Sequence, residues 1–558
     1  MLRNQNSAFA QNPTVDINRS KFNINNKLVT SFNVGQLVPI YAEMAMPGDT
    51  FKMKTNYLLR MPTLISPLMD DLYIDTFWFA VPRRLVWNHF KEFMGENSES
   101  AWIPTTEYTM PQVEAPEGGW NVGTLADYFG IPTGKSGFTV DASWFRAYAS
   151  IVNEFFRDQN LQDPVNIPLG DATIVGSNGS NYITDLVKGG EPFVAGKFHD
   201  YYTSCLPSSQ KGPAVSIGTI TAGDLPVYGN GISLGLTTEN KLFSAVGASQ
   251  GFLPRTGPFG QPVNTQNSSG DSATGLRSFG VPTKDQLGND LSKSGLIADG
   301  SNLTGSITVN ALRYAFQLQK FYERDARGGT RYQELILSHF GVKSPDARLQ
   351  RPEYLGGTSQ RVNVMQVIQS SASTDSSPQG NPSAYSVTAS SHNDFVKSFT
   401  EHCLVIGLAV VRYKHTYSQG LERMFSIKDR FDFYWPVFAN IGEQPVYNKE
   451  IYLQGNEQDD EVFGYQEAWA DYRYKPGKAT GYMNPAAHLG LSSWSLADVY
   501  NQLPVLSNEW IQEDKNNVDR IIAVTSQNTH QFFGDFQFEL EAVRPMPVHS
   551  VPGLIDHN

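Results

Sequence analysis

Four stretches of this 558-residue chain carry residue types at spacings that chemistry uses. Gly247, Ser249 and Gly251 match G-x-S-x-G, the turn that lifts a nucleophilic serine above a sheet when a strand precedes it and a helix follows. Here Pro254 and Pro258 follow, which rules out an ordinary helix, so no catalytic serine is assigned. The glycines from Gly229 to Gly235 miss the spacing of dinucleotide and P-loop turns and read as a flexible loop. The run 457–461, EQDDE, can help hold a Ca²⁺ at a subunit contact, but it lacks the alternation and glycine of an EF-hand loop. A solvated acidic loop is the better reading. The ten histidines are scattered without zinc spacing, and Cys205 and Cys403 stand apart from any redox or metal pattern. No catalytic, cofactor or metal site is expected.

The fourth stretch type is basic residues interleaved with aromatics. Arg412, Tyr413, Lys414 and His415 form one such group, and Tyr472, Arg473, Tyr474, Lys475 and Lys478 another. Rings that stack and cations that track phosphates bind single-stranded nucleic acid without sequence preference. The plainer reading makes them strand ends, with tyrosines in the core and cations in solvent. Arg3, Arg19 and Lys21, on an Asn-rich N-terminal stretch, join them as candidate DNA contacts. Arg324, Arg327 and Arg331 recur at near-helical spacing beside Glu323 and Asp325, with Gly328 and Gly329 breaking the face. They are candidate subunit-interface residues, making charge-assisted bonds across a subunit boundary or to nearby carbonyls. Solvated ion pairs within the chain are the plainer alternative.

The elements that must position these groups read as mainly β. Residues 1–30 lack helical periodicity and are taken as an extended arm. Phe51, Met53, Thr55, Tyr57 and Leu59 alternate with polar residues, as in a half-buried strand. Residues 71–82, DLYIDTFWFAVP, are apolar almost throughout, as in a strand covered on both faces, and a short helix follows in WNHFKEFMGE. Asp141 is an N-cap for a helix through about Asn160, with Phe145, Tyr148, Val152 and Phe155/Phe156 on its inner stripe. Residues 166–306 hold many glycines and few charges and read as an inserted loop-rich β lobe. Residues 307–357 read as helix, break, helix. Strands return in 404–417, 431–453, 463–476 and 536–542, the last alternating cleanly. A final strand pairing with the first ones closes a sandwich. The fold class is therefore a jelly-roll antiparallel β-sandwich with long inter-strand insertions, several helices and the lobe, built from residues 31–165 and 358–558.

Composition narrows function. The net charge of −12 argues against coating nucleic acid by net charge alone, so any nucleic acid needs a basic helper. Two distant cysteines fit a reducing cytoplasm. The first residues lack a secretory signal, and the longest apolar run, 403–411, has about half the length that spans a bilayer, so no membrane insertion is expected. Aromatics reach 12% while charged residues stop at 18%, below the roughly 25% of ordinary soluble domains. Such a chain is expected to hide surface against other copies or other chains.

Several long blocks carry a resemblance. Residues 322–357, YERDARGGTRYQELILSHFGVKSPDARLQRPEYLGG, resemble the most recognisable block of gokushovirus major capsid proteins, from the Microviridae, small tailless single-stranded DNA phages. Residues 37–51 (LVPIYAEMAMPGDTF), 67–96 (PLMDDLYIDTFWFAVPRRLVWNHFKEFMGE) and 463–483 (FGYQEAWADYRYKPGKATGYM) are similar to the family's other blocks, in the same order. The resemblance implies a non-enzymatic jelly-roll subunit, about sixty copies of which form a T=1 icosahedral shell around a circular single-stranded DNA genome. It also implies that the 200–305 part of the lobe forms protrusions at the three-fold axes for host attachment through a surface receptor. The implied partners are other copies, a small basic DNA-binding virion protein, an internal scaffolding protein and a DNA pilot protein, with assembly in the bacterial cytoplasm. The alternative from another class is a carbohydrate-binding or glycoside-hydrolysing β-sandwich, whose aromatics would line a sugar cleft.

Overall fold

The computed structural model describes residues 18–96, 106–213, 309–329, 331–343, 350–375, 378–487 and 491–549, with residue 215 and four short strands between 227 and 298. Arg3, the G-x-S-x-G match at Ser249 and most of the 229–235 glycine run lie outside the described residues.

Two sheets form the centre. Their strands are β1 (Ser20–Phe32), β2 (Val38–Ala45), β3 (Thr50–Arg60), β4 (Leu72–Pro82), β5 (Glu353–Arg361), β6 (Val364–Ile368), β7 (Pro382–Ser398), β8 (Cys403–Tyr413) and β9 (Phe532–Arg544). One sheet has the order β1-β9-β3-β7-β6, the other β5-β4-β8-β2, and the pairings within both are antiparallel. The last strand thus sits between the first and third, with Phe536 opposite both Leu28 and Tyr57. This is the mainly β jelly-roll sandwich that the alternation predicted.

Strand periodicity decides which face each side chain covers. In β3, Phe51, Met53, Thr55, Tyr57 and Leu59 are buried, and in β9 so are Phe536, Phe538, Leu540 and Ala542. They meet Ile74, Trp78, Val405 and Val411 of the facing sheet in one core. Trp78 is fully buried there, with ring centroids of Tyr41, Phe395 and Phe538 at 5.5, 5.6 and 5.9 Å, so its indole ties the two sheets together. Gly407 makes room for it: a Cβ at that position would sit 2.9 Å from the indole.

β4 and β8 are buried on both faces, as their unbroken apolar runs require. Their second face, with Phe79, Val81, Leu404, Ile406 and Val410, packs under the helix α1 (Ser143–Ile151) and the segments around it. Asp141 does bond to the Ser143 N–H at 2.9 Å, although Ala142 holds the N-cap position. The helix stops at Phe156 instead of near Asn160. It widens into a π turn, Val152–Phe156, with the Arg157 N–H on the Val152 carbonyl at 2.9 Å, which carries Phe155 and Phe156 onto Phe79.

Four further expectations are corrected. The arm ends before residue 20, because β1 pairs along its whole length with β9. The lobe does not start at 166: the chain divides into Met1–Gly212 with Phe321–Asn558 and a separate unit Pro213–Lys320. Leu186, Val187, Phe193 and Ala195 lie in the core of the larger unit, since apolar residues spaced between glycines still seek burial. Within 307–357 the two helices are α2 (Val309–Gly328) and α3 (Tyr332–Phe340), but Glu353 already opens β5. In 431–453 and 463–476 only Glu443–Tyr447 and Val462–Glu467 are strands; Pro436 opens a 3₁₀ turn, and Asp429 and Asp432 bond to nearby backbone N–H groups instead of allowing a ladder. The smaller unit, by itself, holds two antiparallel pairs, Val227–Gly229 with Leu296–Ala298 and Leu236–Thr238 with Lys241–Phe243.

A buried polar knot fastens the end of β8 to the C-terminal loops. His415 is completely enclosed, with Nδ1 2.8 Å from Asp498 and Nε2 3.1 Å from Glu513. Asp498 also receives Lys197 at 3.3 Å, the Asn517 amide at 2.9 Å and the Tyr500 hydroxyl at 3.0 Å. Burial works to lower the imidazole pKa, but Asp498 and Glu513 outweigh it and raise it to about 9. Burial works to raise the Asp498 pKa, and His415 and Lys197 overcome it and hold the carboxyl well below the usual range.

Two outcomes follow for denaturant unfolding of the purified chain. Trp78→Ala should lower stability by about 3–5 kcal/mol through the cavity between the sheets. The imidazolium contribution is complete below about pH 6.5, where even the unfolded chain is protonated, and is lost as pH rises through about 9. Stability should therefore fall between pH 6 and pH 9.5, and His415→Gln should flatten that decline while lowering stability at pH 6.

Candidate nucleic-acid and assembly surfaces

The strand β8 runs out into Lys414 and His415, and the two-residue strand Thr416–Tyr417 then pairs in parallel with Gly477–Lys478. That pairing sets the two basic-aromatic groups side by side, although about sixty residues separate them in sequence. Lys414 and Lys475 line one cleft of about 540 Å³, together with Phe198, His199 and the carboxylates Asp70, Asp71 and Asp200. Lys414 Nζ lies 5.3 Å from the centroid of the Tyr73 ring. Burial raises the Asp70 pKa, against the pull of the Leu496 N–H that it accepts at 2.5 Å. Asp71 pairs with Arg361 at 2.5 Å, and Asp200 accepts the Tyr417 hydroxyl at 2.7 Å.

Four of the other candidate DNA contacts are already engaged. Arg412 grips Asp75 at 2.5 and 3.2 Å, with its guanidinium 4.2 Å from the centroid of the Phe198 ring. Arg473 pairs with Glu467 at 2.8 Å, Lys478 with Glu422, and Lys21 with Glu541 at 2.8 Å. Arg19 is exposed, with its guanidinium beside Gly48. Among the described residues, Lys414 and Lys475 are in no salt bridge.

The three arginines of the helical segment separate in role. Arg331 bonds to the carbonyls of Asn153 at 2.9 Å and Arg157 at 3.3 Å, and to Glu334 at 3.2 Å. Those carbonyls belong to the end of the π turn, where helix geometry leaves acceptors unsatisfied, so Arg331 caps that helix and docks α3 on it. Arg327 is bidentate on Glu443 and lies 3.3 Å from Glu467. Arg324 is exposed. Gly329 allows the break: its φ is +84°, and a Cβ would strike Glu334. Arg327, Arg331, Arg412, Arg157 and Lys197 line a further cavity of about 560 Å³ with Phe156 and Phe198. Burial lowers the Arg157 pKa, and the like charge of Arg331 adds to the effect.

Both thiols are buried, which pushes the Cys205 pKa up and the Cys403 pKa up to about 12, so neither is a ready nucleophile. In the 457–461 run Asp459 accepts the N–H groups of Gln454, Gly455 and Asn456, and Asp460 pairs with Lys449 at 2.5 Å. Among the described residues no group of three or more potential ligands is placed to hold a metal, and no helix is long and apolar enough to cross a membrane.

The comparisons agree over almost the whole length. The family model described as capsid protein (F protein) matches residues 10–554. The capsid protein VP1 of Spiroplasma virus 4 is 46% identical over 550 residues, covering 96% of this chain and 96% of that protein. The capsid proteins VP1 of Chlamydia phage 1 and of Bdellovibrio phage phiMH2K are 39% and 38% identical, over 98% and 99% of this chain and 97% and 98% of theirs. With a jelly-roll sandwich, the match leaves one reading: the chain belongs to the F-protein family of phage capsid proteins and is a structural protein of the virion.

Proposed function

We propose that this chain is the major shell subunit of a gokushovirus, about sixty copies closing a T=1 icosahedron around a circular single-stranded DNA genome. The observation that carries the reading is the end-to-end match with VP1 capsid proteins. The subunit has no catalytic centre. Its unit Pro213–Lys320, which clusters apart from the sandwich, is the proposed protrusion at the three-fold axes that meets a host receptor. Assembly runs in the bacterial cytoplasm with an internal scaffolding protein and a DNA pilot protein.

The chain carries −12 charges, so a small basic virion protein supplies most of the phosphate neutralisation. Direct contacts are few. Lys414 and Lys475 are the favoured ones, because a cation already paired with a carboxylate loses that partner when it turns to a phosphate. The aromatics at the same cleft offer a stacking face.

Two measurements test this. Virions purified from infected cells should sediment as one uniform species containing this chain; a chain found only as monomer would sink the shell reading. For the free subunit, binding to a single-stranded oligonucleotide should be weak at 150 mM salt. In Lys414→Ala with Lys475→Ala, the slope of log affinity against log salt should drop by roughly 1.4, the value for two lost phosphate contacts. An unchanged slope would remove the cleft from the DNA surface.

A further inference from the structure

The segment from Phe425 to Ile441 has the composition of a buried strand and the exposure of a loop. Phe425 is 65% exposed, Phe431 55%, Phe433 51%, Trp435 49% and Val437 88%. Tyr472 and Tyr474, both more than half exposed, adjoin it, with the Tyr472 ring tilted against Tyr434 at 6.3 Å between centroids and its hydroxyl accepting the Tyr434 N–H at 3.4 Å. Met424 and Tyr474 line the same small pocket. The result is one aromatic field drawn from two separate stretches of the larger unit.

This field is held in shape. The Asp432 carboxylate accepts the N–H groups of Lys428 and Asp429 at 2.7 and 3.0 Å, and Asp429 accepts the Phe431 N–H at 2.6 Å. The Trp435 indole N–H bonds to the Arg430 carbonyl at 2.7 Å. Beneath them the buried Trp469 donates to the Phe438 carbonyl at 2.9 Å and packs edge-on against Tyr434, with its own backbone in the left-handed region at φ +62°. A non-glycine residue rarely adopts that conformation, and it persists here because the surrounding contacts hold it. A rigid apolar surface loses little entropy when a partner covers it.

We propose that this aromatic field is a contact between neighbouring copies of the chain in the shell. The inference rests on the reading that identical copies build the shell, and it names the surface. Size supports the occupant. Taking about 200 Å² per aromatic side chain, the exposed rings of the two stretches offer roughly 700 Å², above the roughly 300–600 Å² patch of an ordinary monomer and close to the ~800 Å² each partner buries in a standard interface. Charge supports it too. Lys428 and Arg430 are balanced by Asp429 and Asp432, and beside Tyr472 and Tyr474 the cations Arg473 and Lys478 are paired with Glu467 and Glu422, which leaves Lys475 at the border as the one excess cation, less positive charge than a nucleic-acid surface needs. A nearly neutral, preorganised aromatic surface fits the centre of a protein–protein interface.

The test uses particles produced from the intact phage genome carrying substitutions in this chain. Phe433→Asp with Trp435→Asp should cut particle yield at least tenfold, while Phe433→Leu with Trp435→Phe should stay within about threefold of wild type. Circular dichroism of the soluble subunits checks that the charged variant is folded. Wild-type chain that forms no uniform particle would sink the shell reading itself, whereas wild-type particles beside normal-yield charged-variant particles would sink this inference alone. A second arm holds if the charged variant fails to fold. Val437→Cys adds one exposed thiol to a chain whose two cysteines are buried. A small thiol reagent should modify it at least ten times more slowly in particles than in dissociated subunits. Equal rates overturn the proposal, as does protection present in filled particles and absent in empty ones, which would assign the field to the genome.

Discussion

Everything in this subunit depends on one slot: the gap between β1 and β3 that only the last strand, β9, can fill. Until Phe532–Arg544 arrives, β1 lacks its hydrogen-bonding partner and Phe536, Phe538 and Leu540 are missing from the core. The five-stranded sheet therefore cannot close before nearly the whole chain exists. Contacts of such sequence separation are slow to form, because loop-closure entropy is lost before the contacts repay it. The same constraint explains the freedom between strands. Once both ends are locked, a connection of any length costs only slowly more, so a unit such as Pro213–Lys320 can be carried without disturbing the sandwich.

The four-stranded sheet solves a different problem. Buried on both faces, β4 and β8 are apolar almost throughout apart from Asp75, Thr76 and Arg412, and they act as the middle layer between the aromatic core around Trp78 and the cluster under α1. Its ends are where polar groups can be anchored. Arg412 leaves β8 toward Asp75 of β4, and His415 follows into a closed set of carboxylates. Buried charges of this kind contribute little net stability over apolar packing, but losing one partner leaves the others stranded. They fix how the C-terminal loops attach, which is what holds Thr416–Tyr417 against Gly477–Lys478 and so defines the cleft.

Much of this was legible in the sequence where a single period ran long enough. The alternation in β3 and β9 and the continuous apolar run in β4 each admit one structural solution. β1 escaped notice because Asn26 interrupts its inward row of Phe22, Ile24 and Leu28, while Lys21, Asn23, Asn25 and Lys27 gave the whole stretch a polar look. Residues 166–212 escaped because glycine content imitates a surface loop even when Leu186, Val187 and Phe193 are buried between the glycines. Residues 431–441 misled in the opposite direction: ring content suggested a strand, and the contrary signal was the Asp429/Asp432 pair and Pro436. The polar knot could not be read at all. Asp498 and Glu513 lie 83 and 98 residues from His415, and only the closed fold brings them to it.

The distribution of charge and rings gives the surface its division of labour. A cation bound to a carboxylate of its own chain has to give up that partner before it can meet a phosphate, which offsets what the new contact gains. Lys21, Arg412, Arg473 and Lys478 are in that condition, and Arg327 and Arg331 are spent on joining segments of the same subunit. These six basic residues thus work inward, as mortar. The rings do the reverse around Phe431–Trp435, where burial would be the ordinary fate of such residues and the fold holds them out. An isolated domain gains nothing from rigid exposed aromatics and risks aggregation through them. In the closed assembly proposed for this subunit such rings would gain twice, because each field would be covered by a neighbour and the preorganised loop would lose little freedom as it is covered.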